Sequence, residues 1–317
     1  MISVIIPTYN RADFLAKALE TVLMQKEVEC EVIIIDDCSS DNTSDKVNAY
    51  KDSINITYIK NDITKGPGYS RLLGLKKSVG EYVVFMDDDD YYTDPFFYKK
   101  AISIFEKDQE KKLAFVSGNV QTLFLETGKK TFNKLNVEGH IDGLEYLLYF
   151  SGKYNKPKST FSSVFSKKKL EDAGMYHMQM VNDSSIYMRA LLGGSAYIME
   201  DIIGVYVVHA QNISNHISDY FLIQNLEEKA AVKECLKEQL DKKQIRSWWA
   251  NQVGGTVQYY VVGSQPSVSE FRHVFDWIKD NSDGYTSWKL RKVIATSYLM
   301  VIKNNINKKG IKDNEKI

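Results

Sequence analysis

The sequence lacks a disulfide framework, a membrane-spanning run and an excess of charge of one sign. Its three cysteines, Cys30, Cys38 and Cys235, show no CxxC spacing, which is typical of reduced thiols in a cytoplasm. No stretch approaches the roughly 20 apolar residues of a spanning helix. The first residues carry no charged leader and no apolar segment of signal length, so we expect a cytoplasmic protein and not an exported one.

The charge balance excludes a general polyanion binder. Basic and acidic side chains number 41 each, so no overall positive field attracts nucleic acid, and we expect no nucleic-acid partner. Apolar residues make up 44% of the 317-residue chain. That content is enough for one large core with an appended module, or for two domains.

Short apolar runs alternate with helical patterns over the first hundred residues. Strands are predicted at residues 3–6, 32–35, 54–59 and 82–86, and helices at residues 14–23 and 69–79. This βαβ rhythm predicts an α/β fold with a Rossmann-like, mostly parallel sheet of buried strands. Ligands of such sheets bind at the carboxyl ends of the strands.

Later residues change character. Residues 113–132 are rich in β-formers and contain a turn near Thr127 and Gly128, whereas residues 143–150 and 184–192 are helical patterns. The sheet is therefore expected to become mixed. After about Ser214 the strand patterns stop, and amphipathic helices follow. We predict an α/β domain over residues 1–214 and a helical module over residues 215–317.

Four consecutive carboxylates, Asp87 to Asp90, end the apolar strand that precedes them. Acids so close together repel one another unless a cation neutralises them, and hard oxygen ligands suit Mg²⁺ or Mn²⁺. The alternative is a solvated acidic turn that also caps the next helix. A second pair, Asp36 and Asp37, ends the strand predicted at residues 32–35. Asp37 is expected to accept a hydrogen bond from a nucleobase or a ribose. The alternative is that it belongs to a helix-capping cluster without a ligand.

Between the two acid sites lies a Gly-Pro-Gly turn, residues 66–68, with Arg71 in the helix that follows. The turn can bring backbone N–H groups and a guanidinium up to a phosphate. A turn of this composition also forms without any ligand.

These motifs, in this order, resemble the family 2 glycosyltransferases of the GT-A fold, of the type that builds bacterial cell-surface polysaccharides. The resemblance rests on residues 3–11, 36–43, 66–71 and 80–90. It implies a nucleotide-sugar half at residues 1–100 and an acceptor half at residues 101–214. It implies donor-binding roles for Pro7, Thr8, Tyr9, Arg11, Asp37, Gly66, Arg71, Asp87 and Asp88. By the same resemblance Asp89 is the metal ligand, and Cys38 stands where the family often has Gly.

Two further residues take their roles from the resemblance. Asp183 matches the second acid of a family Glu-Asp pair that supplies the catalytic base, although Asn182 replaces the Glu. From its sequence alone, Asp183 is better interpreted as a helix N-cap than as a base. His209 matches a histidine that reaches the metal or the diphosphate. Without the family context it reads as a hydrogen-bonded histidine at a strand end.

The resemblance implies an inverting transfer from a nucleoside-diphosphate sugar, most simply a UDP-sugar, to a hydroxyl of a saccharide or lipid-linked saccharide. Loops at residues 137–142 and 174–182 are the expected acceptor side. Two rivals stay open: a nucleotidyltransferase, which also uses strand-end aspartates and a metal but would need a triphosphate-binding loop, and a nucleotide-sugar-binding module without turnover. Released nucleoside diphosphate, released pyrophosphate or no release would separate the three.

The last segment reads as a basic amphipathic helix over residues 286–312. Its cations are Lys289, Arg291, Lys292, Lys303, Lys308 and Lys309, and its apolar residues recur at helical spacing. Such a helix can lie on the inner face of a membrane, or it can pack on neighbouring helices or on a second subunit of a homo-oligomer. An aromatic stretch with Trp248, Trp249, Tyr259 and Tyr260 suits sugar stacking, a core or a dimer contact.

Overall fold

A computed structural model of the protein describes residues 1–210, 217–282 and 288–314, with side chains described up to residue 306. The chain divides into two compact units, unit 1 (Met1–His209) and unit 2 (Ala210–Ile317). The predicted boundary after Ser214 lies outside the described residues.

Strands and helices alternate in the first half of unit 1. The elements are β1 (Ile2–Thr8), α1 (Ala12–Leu23), β2 (Cys30–Asp36), α2 (Thr43–Asn48), β3 (Asn55–Lys60), α3 (Pro67–Lys77) and β4 (Tyr82–Phe85). β1 pairs in parallel with β2 and β4, and β2 pairs in parallel with β3. The predicted parallel sheet is confirmed, and the carboxyl ends of these strands share one edge.

The central strands are apolar because they are buried on both faces, as in other parallel sheets. The side chains of Val32, Ile33, Ile34 and Ile35 in β2 are all 0% exposed. β3 differs, since its residues alternate between exposed and half-buried. The prediction of a buried strand there is wrong, because β3 lies at the edge of the sheet, where water reaches it.

The second half of unit 1 adds antiparallel strands. Its elements are β5 (Tyr91–Tyr92), α4 (Phe97–Lys107), β6 (Leu113–Phe124), β7 (Lys129–Phe132), β8 (Gly139–Ile141), α5 (Gly143–Tyr149), β9 (Ser163–Ser166), α6 (Lys167–Asp172), α7 (Asp183–Gly193) and β10 (Ser195–Val208). The strand order is β3-β2-β1-β4-β9-β6-β10-β5, with β7 on β6 and β8 on β10. β9 is antiparallel to β4 and β6, whereas β6 and β10 are parallel. The expected change to a mixed sheet is confirmed.

Unit 2 is helical throughout its described residues. It contains α8 (Asp219–Leu236), α9 (Lys242–Ser264), α10 (Val268–Asn281) and α11 (Trp288–Asn314). Trp248, Trp249 and Tyr260 are buried, and Trp249 Nε1 donates to Ser282 Oγ at 2.9 Å. These three aromatic residues are therefore core residues of unit 2 and cannot stack on a sugar, while Tyr259 is 54% exposed.

Helix α11 buries one apolar face inside unit 2. Leu290, Ile294 and Val301 are buried, which supports packing for this face, whereas Trp288 and Leu299 are exposed. Residues 286 and 287, and the side chains of residues 307–312, lie outside the described residues. Within the described residues, no helix has both the length and the apolar content that crossing a bilayer requires.

Candidate active site

The ends of β1, β2 and β4 meet at one edge of the sheet. Thr8 is the register partner of Asp36, and β4 continues through Met86 into the four aspartates. Thr8 Oγ1 donates to Asp88 Oδ2 at 2.7 Å. The donor-binding residues predicted at the end of β1 are therefore hydrogen-bonded directly to the acidic motif, as expected for parallel neighbouring strands.

Arg11 follows β1 and holds two of the acids. Its Nη1 atom lies 3.1 Å from Asp88 Oδ1 and 3.0 Å from Asp89 Oδ2. Burial raises the pKa of Asp88 to about 7 against the attraction of Arg11. Burial, and then the charge of Asp87, raise the pKa of Asp89 to about 6. Burial therefore disfavours the ionised form of both carboxyls even with the Arg11 guanidinium in contact.

His209 reaches the same carboxylate from the end of β10. Its Nε2 atom lies 2.9 Å from Asp89 Oδ2, and its ring stacks on Phe14 of α1 with centroids 5.0 Å apart. Burial and then the charge of Arg11 lower the pKa of His209. The imidazole is therefore favoured in its neutral form, which is the form that binds metals.

Arg71 joins the acidic motif to α7. The buried guanidinium lies with Nη2 2.6 Å from Asp87 Oδ1 and 3.5 Å from Asp183 Oδ1, and Nη1 donates to the Val181 carbonyl at 3.2 Å. Its buried Nε has no hydrogen-bond partner among the described residues. A buried donor of this kind is costly to leave unsatisfied, so it marks a place for an acceptor atom.

Asp183 occupies the first turn of α7, but it does not cap the helix. The cap is Asn182, whose side chain accepts from the Ser185 N–H in a capping box. The N-cap interpretation of Asp183 is wrong, and the carboxylate turns to Arg71 and to Lys156, whose Nζ lies 3.9 Å from Asp183 Oδ2. Burial raises the pKa of Asp183, against the attraction of Lys156 and then Arg71.

Asp37 ties β2 to the turn before α3. It accepts from Asn61 Nδ2 at 2.8 Å, from the Lys65 N–H at 2.7 Å and from the Gly66 N–H at 2.7 Å. Gly66 has φ +83°, a conformation that favours glycine. A carboxylate has about four acceptor positions, so three internal hydrogen bonds leave room for a ligand at Asp37.

Cys38 and Tyr9 lie near this edge, and Pro7 lies within β1. Pro7 is buried, whereas the Tyr9 side chain is 48% exposed just beyond the strand. Cys38 has φ +74°, so the common glycine at this position has a conformational reason.

Asp90 is a structural residue that the sequence does not distinguish from its neighbours. Its carboxylate is buried and accepts from Ser159 Oγ at 3.0 Å and from the Val207 N–H at 3.1 Å. It thereby anchors the acidic motif to β10. The acidic run divides into three residues at the edge and one that supports them.

The residues at Asp89 fit a small divalent ion in part. Two neighbouring ligands of an octahedral ion, with bonds of about 2.0–2.1 Å, lie about 3 Å apart, and Asp89 Oδ2 and His209 Nε2 are separated by 2.9 Å. Over the ranges that the structure describes, no group of three or more His, Cys, Asp or Glu side chains is arranged around a metal position. The protein thus offers a pair of ligands, and other ligands have to complete the coordination.

Comparison with known proteins decides the family. The sequence signature described as Glycosyl transferase family 2 matches residues 3–171, which is more than half of the chain. The chain belongs to glycosyl transferase family 2. The family predicted from the motifs is confirmed.

Relatives of known sequence align with this chain over limited segments. An uncharacterized glycosyltransferase of Rickettsia felis is 34% identical over 151 residues, which are 48% of this chain and 22% of that protein. The poly(ribitol-phosphate) beta-N-acetylglucosaminyltransferase TarS of Staphylococcus aureus is 38% identical over 92 residues, 28% of this chain and 16% of TarS. The UDP-Glc:alpha-D-GlcNAc-diphosphoundecaprenol beta-1,3-glucosyltransferase WfaP of Escherichia coli is 41% identical over 92 residues, 29% of this chain and 36% of WfaP. The match therefore spans well under half of each relative.

Solved structures share the fold. S. aureus TarS 1-349 in complex with UDP-GlcNAc superposes with a TM-score of 0.71 at 20% identity, over 96% of this chain and 88% of that one. The mannosyltransferase PcManGT from Pyrobaculum calidifontis, solved with GDP-Man and Mn²⁺, gives 0.51 at 14% identity, over 96% and 86%. The predicted fold, GT-A with C-terminal helices, is confirmed.

Unit 1 brings most of the predicted site residues together. They form two groups of contacts, which the consecutive residues Asp87 and Asp88 connect along the chain. One group contains Thr8, Arg11, Asp88, Asp89 and His209. The other contains Arg71, Asp87 and Asp183. Lys156 was missed by sequence reasoning, although the short basic run Lys156-Pro157-Lys158 offered a signal.

Proposed function

We propose that this chain transfers a sugar from a UDP-sugar to a hydroxyl of a saccharide acceptor, with inversion at the anomeric carbon, in the assembly of a cell-surface polysaccharide or glycoconjugate. The observation that carries the proposal is the position of Arg71, which lies between Asp87 of the acidic motif and Asp183 of α7. Arg71, which we expect to bind the donor diphosphate, therefore lies beside Asp183, the candidate base. The similarity to the glycosyltransferases TarS and WfaP supports a glycosyl transfer.

The donor side is assigned to the ends of β1, β2 and β4. The unsatisfied Arg71 Nε suits a diphosphate oxygen. Tyr9, partly exposed beyond β1, suits stacking on the base. Pro7, Thr8 and Arg11 shape the same loop.

Mn²⁺ or Mg²⁺ is assigned to Asp89 and His209. The support is the 2.9 Å separation of their ligand atoms. Burial also raises the pKa of Asp89, so a bound cation would favour its ionised form. When bound, the ion supplies Lewis-acid stabilisation of the negative charge on the leaving diphosphate. PcManGT, which was solved with Mn²⁺, supports the choice of metal.

Asp183 is assigned as the general base. It takes the proton of the acceptor hydroxyl while the hydroxyl oxygen forms a bond to the anomeric carbon and the bond from that carbon to the diphosphate oxygen breaks. Burial favours the protonated carboxyl, so Asp183 is a stronger base than an exposed aspartate. Such a base contributes about a hundred- to ten-thousand-fold to the rate.

Release of nucleoside diphosphate tests the proposal. The full chain is incubated with UDP-, GDP- and dTDP-sugars, with and without Mn²⁺, beside Asp89→Asn, Asp183→Asn and the control Asp13→Asn. Asp13 is a suitable control because its side chain is 91% exposed. We expect metal-dependent release of UDP that falls at least about a hundredfold in both site variants and is unchanged in the control. Pyrophosphate release would indicate a nucleotidyltransferase, and donor binding without any release would favour a binding module.

The cytoplasmic location and a peripheral membrane contact or homo-oligomer through α11 stay predictions. The buried face of α11 serves the core of unit 2, so any such contact would use its exposed side, which includes Trp288, Lys292 and Leu299. A membrane contact there would be strengthened by anionic lipid, because the neighbouring charges are basic.

A further inference from the structure

A cavity of about 680 Å³ opens in unit 1 beside the candidate base. It is lined by three separate segments, residues 118–120, 132–135 and 151–158. Lys156 belongs to both places, since it lines the cavity and its Nζ lies 3.9 Å from Asp183 Oδ2. A molecule in the cavity would therefore lie next to the carboxylate assigned to take the acceptor proton. The residues that line the cavity lie outside the two loops expected from the sequence, and some of them belong to β6 and β7.

The wall of this cavity is positively charged. Its lining residues include Lys134, Lys156 and Lys158, together with Asn119, Asn133 and Asn155, and they include no aspartate or glutamate. The remaining wall is partly apolar, with the 44% exposed Phe132 available to the face of a sugar.

The three lysines differ in the ion pairs that their ammonium groups form. Lys134 Nζ pairs with Glu200 at 2.6 Å and with Glu138 at 3.3 Å. Lys156 has only the longer contact to Asp183 among the ion pairs of the described residues. Lys158 forms no ion pair within the described ranges, and its Nζ lies 5.3 Å from the centre of the Tyr206 ring.

Lys156 and Lys158 destabilise each other. Burial lowers the pKa of Lys156, and the charge of Lys158 lowers it further, while Asp183 opposes both effects. Exposure to water is enough to account for Lys158, which forms no ion pair within the described ranges. It does not explain a second, half-buried lysine two residues away that faces the same cavity and whose ion pair with Asp183 is as long as 3.9 Å. An anion between the two ammonium groups would remove this repulsion.

We infer that the cavity binds an anionic group, a phosphate or a carboxylate, carried by the acceptor near its reacting hydroxyl. Lys156 and Lys158 hold the anion, and Phe132 contacts the adjoining carbon skeleton. The inference rests on the proposed function, because Asp183 defines which side of the site receives the acceptor. It narrows the acceptor to a charged saccharide or polyol.

Direct binding tests the inference without requiring turnover. Saturation-transfer NMR on the full chain, without donor, compares methyl β-D-glucoside 6-phosphate, methyl β-D-glucuronide and neutral methyl β-D-glucoside. We expect the charged probes to bind more tightly than the neutral one. Loss of one charge-assisted hydrogen bond costs about 1.5–3 kcal/mol, so Lys158→Gln should raise the Kd of the phosphate probe at least about tenfold.

Lys99→Gln is the matched control, because Lys99 is an exposed lysine on α4 that does not line the cavity. Lys156→Gln is the second site variant, and thermal unfolding confirms that each variant is folded. Preference for phosphate over glucuronide assigns a phosphate group, and equal binding assigns an anion of either kind. Equal binding of charged and neutral probes, an unchanged Kd in Lys158→Gln, or displacement of the phosphate probe by UDP would overturn the inference. Failure of the proposed function appears separately, as absence of metal-dependent UDP release.

Discussion

Replacement of Arg71 by methionine should destabilise unit 1 by an amount that its contacts define. The guanidinium is buried and lies 2.6 Å from Asp87 and 3.5 Å from Asp183. Removing one partner of a buried ion pair costs about 3–5 kcal/mol. Since the side chains of Asp87 and Asp183 keep 31% and 24% of their exposure, solvent screening lowers the expected loss to about 2–3 kcal/mol.

Thermal unfolding measures this loss. A unit of this size shifts its Tm by about 2–4 °C per kcal/mol, so Arg71→Met should lower the Tm by about 4–12 °C. The control Arg246→Met, which removes an exposed arginine of α9, should shift it by less than about 2 °C.

A double variant separates charge from packing. If the loss comes from carboxylates left without a cation, Asp183→Asn in the Arg71→Met background should recover part of the Tm, with a coupling of about 1–2 kcal/mol. An unchanged Tm in Arg71→Met would refute the contact as described. Strictly additive single effects would show that Arg71 stabilises unit 1 through packing and through its bond to Val181.

Three substitutions that introduce or remove a glycine give further predictions. Cys38→Gly should raise stability by about 0.5–1 kcal/mol, because relief of a left-handed backbone worth about 1–2 kcal/mol exceeds the added flexibility of the unfolded chain; a lower Tm would contradict this. Gly74→Ala should cost about 1–2 kcal/mol despite the helix preference for alanine, since the new Cβ would lie 2.3 Å from Ile5 Cγ2. Gly255→Ala, with nothing within 4 Å of its Cβ, should instead be stabilising, and equal effects in both variants would be inconsistent with the crowding at Gly74.

The parallel half of the fold and its acidic edge are predictable from the sequence. A strand buried on both faces has an unbroken apolar run, and the run from Val32 to Ile35 ends abruptly in carboxylates. Parallel neighbours place their carboxyl ends together, so the position of Asp88 near Thr8 follows from local patterns. The hairpin of β6 and β7 is equally local, because its turn separates two extended segments.

Features that depend on distant pairing are not predictable in this way. β9 inserts between β4 and β6, far from either in sequence, and no local pattern specifies that order. The roles of neighbouring residues are not predictable either. Asn182 caps α7, so the Asp183 carboxylate is not used as the cap. Asp90 accepts a hydrogen bond from β10, whereas Asp89 lies at the edge of the sheet. Only the tertiary contacts distinguish these identical or similar side chains.

Positive charge is distributed unevenly across the site, and this distribution agrees with the different partner that we propose for each side. At the acidic edge, burial raises the pKa of Asp88 and Asp89 even with Arg11 in contact, and a bound cation would favour the ionised form of both carboxyls. Beyond Asp183 the balance reverses, because Lys156 and Lys158 line a cavity whose described lining residues include no aspartate or glutamate. Arg71 stands between the two regions. A donor that enters with a divalent ion and an acceptor that carries an anion would each meet the charge that its side lacks, and exchanging the two molecules would place like charges together.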